Sequence, residues 1–332
     1  MLLAGDIGGT KTLLGLYRRG SMDGSRPAPA VVREYATLDF ESLPEMLDAF
    51  LAEVGTHPID AISIGAAGPV TGLVARLTNV PWLVDGAEVS ERLSDAPVAL
   101  LNDLEAMAYA VPMLEPQELA VLQEGIASPA GNAALIAAGT GLGEAMLHNV
   151  DGRFIPSPSE GGHADFAART PRELALVEEL SRVYGRVDNE RVISGPGLVN
   201  VFRFTHQTQD LRTACRVIGP VSDPTDLPAE IAAAGASKRC ARCAEAFDIF
   251  IEAYGAEAGN VALRFAATAG VYLGGGIAPK NLPSLQRGPF LQAFWDKDPL
   301  TDLLRTLPVK VILNEKAALL GAAIRAAEIA AV

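Results

Sequence analysis

Cysteine is scarce, with only Cys215, Cys240 and Cys243 in 332 residues. An odd, small number suits a reducing compartment rather than a disulfide framework. Cys240 and Cys243 have the spacing of a zinc-ligand pair, but no second Cys-x-x-Cys and no closely spaced histidine pair completes four ligands. They read as two thiols on one face of a helix, and no structural metal is expected. Basic residues are also in deficit: 27 Lys and Arg against 40 Asp and Glu leave a net charge of −13. Without a basic surface to neutralise a phosphate backbone, nucleic acid is not an expected partner. No apolar run approaches the ~18 residues of a membrane span, and no basic leader precedes Asp6. Neither membrane nor secretion is expected, and the reading is a soluble cytoplasmic protein.

What is present begins with "GDIGGTKT" at residues 5–12. It misses the P-loop pattern by one position, because Thr10 stands where the second glycine belongs. A P-loop also needs a helix after its lysine, whereas "TLLGLYRRG" reads as a strand. The unit is therefore strand, tight turn, strand, with Gly8 and Gly9 letting backbone N–H groups approach an anion closely. A plain hairpin turn fits the same residues. Lys11 is left without a role, since a hairpin does not aim it at phosphate.

The length allows two domains. Up to about residue 112, strands at 2–5, 13–18, 31–37, 61–65 and 98–101 interleave with helices at 41–54 and 103–111, an α/β layer. The pattern restarts with strands at 118–123, 133–138, 143–149 and 153–155, then helices at 171–184, 195–204, 227–234 and 237–267. Each half holds a strand–glycine turn–strand unit, "GDIGGT" and "AAGTGLGEAML", which suggests a duplicated architecture with a cleft between the halves. The last helix, "EKAALLGAAIRAAEIAAV", is poor in bulky side chains, and Ala106, Ala108 and Ala110 offer a matching small-residue face, so it is expected to pack back on the first half. A proline-containing stretch at 219–238 reads as a surface excursion.

Four glycine turns need one account: "DIGGT" (6–10), "AAGTGLG" (137–143), "SEGGH" (159–163) and "LGGGIAP" (273–279). Three follow short apolar strands, and ligands in α/β proteins sit beyond such strand ends. The combination favours a polyphosphate cradled by backbone amides. Asn102 and Asp103 follow the buried run "VALL" and open a helix; they suit an N-cap pair, or, for Asp103, the proton acceptor of a phosphoryl transfer.

Taken in order, "GDIGGTKTLLGLY", "LLNDLEAMAYAV", "AAGTGLGEAML", "SEGGHADFA", "RVISGPGLVNVF" and "GVYLGGGIAPK" resemble the bacterial glucokinases, ATP-dependent hexose kinases of the actin/Hsp70/sugar-kinase superfamily. The resemblance runs from the first strand to the last helix. It implies a two-domain actin-like ATPase (ribonuclease H-like) fold of α/β class with an interdomain cleft, divided as residues 1–112 plus 313–332 and residues 113–312. It implies a first phosphate loop at Gly5, Asp6, Ile7, Gly8, Gly9 and Thr10, a second at Gly139, Thr140 and Gly141, and an adenosine floor at Gly274, Gly275 and Gly276. Asp6 would hold Mg²⁺ through water. Asp103 would be the general base, and Asn79, Asn102, Asp103, Glu160, His163 and Glu190 the sugar ligands. The implied reaction is transfer from ATP to the 6-hydroxyl of glucose, and the implied state a homodimer.

Three alternatives follow from the same residues. One is a kinase for another hexose or an N-acetylhexosamine; the related repressor/open-reading-frame/kinase proteins usually carry a zinc-binding cysteine cluster after the sugar-binding histidine, and "ADFAARTPRE" after His163 has none. Another is a non-catalytic sugar sensor, which would need a DNA-binding helix-turn-helix. The third, an Hsp70-like ATPase, would need a peptide-binding domain.

Overall fold

The computed structural model describes residues 1–20, 24–77, 80–208, 215–218 and 223–331. They form two compact units, Met1–Glu118 with Phe154–Pro158 and Asn314–Val332, and Leu119–Arg153 with Ser159–Leu313.

The first unit opens with strands β1 (Leu2–Ile7), β2 (Lys11–Arg18) and β3 (Ala28–Ala36), helix α1 (Leu43–Val54) and strand β4 (Ala61–Ala66). Short strands β5 (Val70–Thr71), β6 (Val74–Arg76) and β7 (Leu83–Asp85) make a separate three-stranded sheet. Helix α2 (Gly86–Arg92), strand β8 (Val98–Asn102) and helix α3 (Asp103–Ala110) follow. The main sheet runs β3-β2-β1-β4-β8, antiparallel across β3-β2-β1 and parallel across β1-β4-β8. Strands β1 and β4 are almost continuously apolar because both their faces are covered.

The second unit holds β9 (Leu119–Gln123), β10 (Ala133–Ala138) and β11 (Leu142–Val150), and the chain continues through β12 (Arg153–Ser159) to helices α4 (Pro171–Tyr184), α5 (Gly195–His206), α6 (Leu227–Ala236) and α7 (Ala241–Arg264). After β13 (Gly270–Gly274) come four short helices, α8 (Ile277–Lys280), α9 (Leu282–Leu285), α10 (Pro289–Trp295) and α11 (Thr301–Thr306), then strand β14 (Val309–Ile312). Its sheet includes, in order, β11-β10-β13-β14-β9. The series β11-β10-β13-β14 repeats the pairing of β2-β1-β4-β8: an antiparallel hairpin, then two strands parallel to its first arm. The core centres on α7, with Phe250 and Tyr254 fully buried.

Two sequence expectations change. Helix α7 starts at Ala241, so Cys240 is its N-cap and the two thiols do not share a helix face. The 219–238 stretch is no surface excursion where it is described: α6 buries Leu227, Ile231 and Ala234. Residues 219–222 lie outside the described residues. The terminal helix α12 (Ala317–Ile329) packs where its composition predicts, with Ala322, Ala323 and Ala326 buried against Leu2, Ala4 and Ala61, and Ala318 against Ala106.

Candidate active site

In the first unit the β1–β2 ladder closes at Ile7 and Thr12. The Gly8 N–H donates to the Lys11 carbonyl (3.0 Å), and a Cβ on Gly8 would stand 2.9 Å from that oxygen. Thr37 braces the turn from outside: its hydroxyl donates to the Gly8 carbonyl at 2.8 Å and its N–H to the Thr10 carbonyl at 3.0 Å. Such a turn is preorganised, with Thr10 exposed at its tip. Gly5 and Ile7 lie within β1, where Ile7 is fully buried and Gly5 is pressed between Ile64 and Leu14. Any part they take in binding is therefore a backbone part. Lys11 is exposed and pairs with Glu34 at 3.3 Å.

Asp6 stands opposite Gly65 of β4. A Cβ on Gly65 would lie 2.9 Å from the Ala106 Cβ and 3.9 Å from the Asp103 Cα, so the missing side chain lets α3 come down on the sheet beside Asp6. Burial first, then the Asp103 charge, push the Asp6 carboxyl up to about 6, with Lys11 opposing. Asp103 is the exposed first residue of α3. Asn102 is its N-cap: Oδ1 accepts from the Leu104 N–H (2.9 Å) and Nδ2 donates to the Gly68 carbonyl (3.2 Å). One donor and one acceptor site of that amide remain for a ligand. Trp82, 5% exposed, belongs to the core, and Asn79 lies outside the described residues.

In the second unit the turn Gly139-Thr140-Gly141 joins β10 to β11, closed by Gly139 N–H to Gly141 carbonyl at 2.8 Å. The Gly195 N–H at the start of α5 donates to the Gly139 carbonyl at 2.8 Å, bringing a twelve-residue helix N-terminus to the turn. Gly275 has φ +76°, and a Cβ there would lie 2.3 Å from the Ala138 carbonyl, so only glycine fits against β10. Gly274 ends β13 and Gly276 caps α8. Gly139, Thr140, Gly195 and Gly276 line a cavity of about 1250 Å³, which continues between α6, Phe247 and Ile277 and reaches His163, Asp188 and Glu190 at its polar end.

Those polar residues are assembled by two segments zipped together. Backbone N–H groups of Asn189 and Glu190 donate to the Ala164 and Gly162 carbonyls, both at 2.9 Å. A Cβ on Gly162 would lie 2.0 Å from the Leu142 carbonyl, so this glycine seats the segment on β11. Glu190 Oε2 accepts from the Leu142 N–H at 2.9 Å, leaving Oε1 available while fixing the base of the Gly139–Gly141 turn. Glu160 and His163 are exposed. His163 Nδ1 lies 3.3 Å from Asp188 Oδ2, whose side chain is only 10% exposed. With Nδ1–H donating to Asp188, Nε2 is left as an acceptor. Sequence reasoning missed Asp188, although its place in "VDNERV", two residues before Glu190, was a signal.

Under this segment lies a buried carboxyl pair. Glu257 of α7 accepts from Arg264 (2.6 Å) and Asn260 (2.8 Å). Burial, and then the Glu257 charge, push Glu144 up to about 8. A carboxyl raised this way is protonated in the fold and ionised in the unfolded chain between about pH 5 and pH 8, so stability falls as pH rises through that window. Glu144→Gln keeps a donor toward Glu257 and removes the slope, at most about 1.4 kcal/mol per pH unit. Urea titrations should find the variant flatter with pH and more stable than wild type near pH 8.

A third cluster was not foreseen. His206 and Cys215 stand with Cys240 and Cys243, the four ligand-capable atoms all within 4.8 Å of one another. The expectation that nothing completes the Cys240–Cys243 pair is therefore corrected: the partners come from distant parts of the chain, invisible to a search for local spacing.

Glycine-turned hairpins repeated in two similarly wired sheets are the mark of the sugar-kinase fold. The chain superimposes on a glucokinase from an Antarctic psychrotroph with TM-score 0.85 and 26% identity, covering 98% of both chains. A ROK family glucokinase from Streptomyces griseus, solved in complex with glucose and AMPPNP, matches with TM-score 0.61 and 22% identity over 98% of this chain and 99% of that one. The fold is thus the α/β, mixed-sheet fold of these actin-like kinases. A family model for Glucokinase matches residues 3–329, and the glucokinase of a Synechocystis species is 38% identical over 98% of each chain. The chain belongs to the glucokinase family and is an enzyme, a phosphotransferase with an alcohol group as acceptor.

Proposed function

We propose that the chain transfers the γ-phosphoryl group of MgATP to the 6-hydroxyl of glucose by direct in-line displacement, with Asp103 accepting the hydroxyl proton. The observation that carries this reading is the pair of preorganised glycine turns, each with one carboxylate-rich segment packed beside it: Asp6 and Asp103 by the first, Glu160, His163 and Glu190 by the second. Asp103 needs little basicity. A loose transition state asks for orientation and a late proton acceptor, which a carboxylate at a helix start supplies.

Glu160, Glu190 and His163 bind the sugar, with Asn102 contributing its remaining amide sites. Carboxylates accept from hydroxyls and the His163 ring accepts through Nε2, so a sugar lacking a hydroxyl leaves a polar group unpaired. Gly139, Thr140 and the α5 N-terminus bind phosphate oxygens, while Gly276 leaves room for adenosine in the 1250 Å³ cavity and Gly274 and Gly275 carry the chain to it from β13. The donor set fits Mg²⁺: Asp6 is a hard oxygen ligand, raised first by burial and then by the Asp103 charge, and a divalent cation would stabilise its ionised form against both. Asp6 would hold the ion mainly through its water shell, and the ion would neutralise charge on the phosphates. The two-domain actin-like arrangement closing on its sugar, a homodimeric state and a cytoplasmic location belong to the same proposal. Among the described residues no helix is long and apolar enough to cross a membrane.

The test is ADP release with MgATP and, in turn, no sugar, glucose, fructose, mannose and N-acetylglucosamine. Turnover with glucose is expected; turnover only with another hexose would move the substrate, and sugar binding without turnover would make the protein a sensor. Asp188→Asn should raise KM for glucose about tenfold or more with a smaller change in kcat, since it loses a charged hydrogen bond of roughly 1.5–3 kcal/mol that orients His163. An unchanged KM in steady-state kinetics would remove that role from Asp188.

A further inference from the structure

We propose that His206, Cys215, Cys240 and Cys243 form a structural zinc site in the second unit, outside the phosphate and sugar segments. The four residues come from three places: the last turn of α5, the irregular stretch at 215–218, and the N-cap and first turn of α7. Cys215 Sγ and Cys243 Sγ are 3.7 Å apart, and His206 Nε2 lies 3.7 Å from Cys240 Sγ and 3.8 Å from Cys243 Sγ. A tetrahedral ion with Zn–S of about 2.3 Å and Zn–N of about 2.0–2.1 Å has S···S edges of about 3.8 Å and S···N edges of about 3.6 Å. These three separations match edges of that tetrahedron, the other three lie within 4.8 Å, and the Cys215–Cys243 separation is too long for a disulfide bond of about 2.05 Å.

The surroundings complete the ligand set. His206 Nδ1 lies 2.9 Å from the Phe202 carbonyl, so the ring proton sits on Nδ1 and the Nε2 lone pair faces the sulfurs. The Phe202 ring lies against the imidazole, with centroids 4.0 Å apart, fixing its plane. His206 and Cys243 are buried. Three soft thiolates and one imidazole select zinc over Mg²⁺, and four protein ligands leave no open position for catalysis. On binding, the three thiols release their protons to water and the centre carries one net negative charge.

The consequence is mechanical. Zinc ties the C-terminal end of α5 to the start of α7 and anchors the 215–218 stretch, while the other end of α5 presents Gly195 to the Gly139 turn. The ion thus fixes the helix whose N-terminus faces the cavity.

The experiment uses the untagged protein purified under reducing, chelator-free conditions. Elemental analysis should find one zinc per chain, falling to near none in Cys215→Ser and Cys243→Ser. Exchange with Co²⁺ should give thiolate-to-metal charge-transfer absorption and the visible bands of a tetrahedral ion, and the three thiols should resist a thiol reagent until a chelator removes the metal. Because the Co²⁺ spectrum is read on the wild-type chain, a variant that fails to fold does not blunt the test. Reduced, folded protein that takes up Co²⁺ without a thiolate band would overturn the proposal. So would zinc retained equally by Cys215→Ser, or a metal-free Cys215–Cys243 disulfide in the reduced preparation.

Discussion

Asp103→Asn is expected to lower kcat for glucose phosphorylation by about 10²- to 10⁴-fold, the range a positioned general base supplies, with little change in glucose affinity. The asparagine keeps the shape of the side chain and its acceptor for the Leu104 N–H, which Asp103 Oδ1 now holds at 2.9 Å, so the α3 start should survive. Stability separates lost chemistry from lost structure. Asp6 is raised to about 6, first by burial and then by the Asp103 charge, so stability is lost as pH rises from the ordinary carboxylate range through that value, and the full cost is borne near pH 7. Removing the charge lowers the cost, and the variant should be at least as stable as wild type near pH 7. Steady-state kinetics, a glucose binding titration and a thermal melt on one preparation check all three. A fall in kcat of less than about tenfold would assign Asp103 to helix capping alone.

What was legible in the sequence is what local chemistry dictates. Gly8 and Gly9 announce a tight turn, and the apolar runs beside them announce strands. The small residues of the last helix announce the close packing that Gly321 and Ala106 make. What was not legible depends on tertiary placement. Glu190 reads as a ligand, and only the fold adds that its Oε2 holds the Leu142 N–H under the second glycine turn. Asp188 is one acid among many until His163 is found 3.3 Å away. The cysteine cluster failed for the same reason: ligand spacing rules recognise donors on one short segment, and His206 and Cys215 come from elsewhere. Glu144 carries no local signal of its burial against Glu257, because the two carboxyls are brought together only by the packing of α7 on the sheet.

The packing that carries Asp103 makes the second large effect, Gly321→Ala. In an exposed helix this change adds about 1 kcal/mol of stability, because alanine is the better helix former. Here the sign reverses. A Cβ on Gly321 would stand 1.7 Å from the Ala106 carbonyl oxygen, 2.8 Å from its carbon and 3.0 Å from the Ala110 nitrogen, all backbone atoms of α3. No flexible side chain can move aside, so α12 and α3 must separate. Overpacking of this kind costs about 1–3 kcal/mol, and a backbone obstacle puts this case at the upper end. Shifting α3 also displaces its first residue, so kcat should fall with stability, unlike Asp103→Asn, which loses kcat alone. Urea unfolding with steady-state kinetics distinguishes the two variants. A Gly321→Ala protein as stable and active as wild type would mean that α3 yields freely, and that close α3–α12 contact does not position the carboxylate.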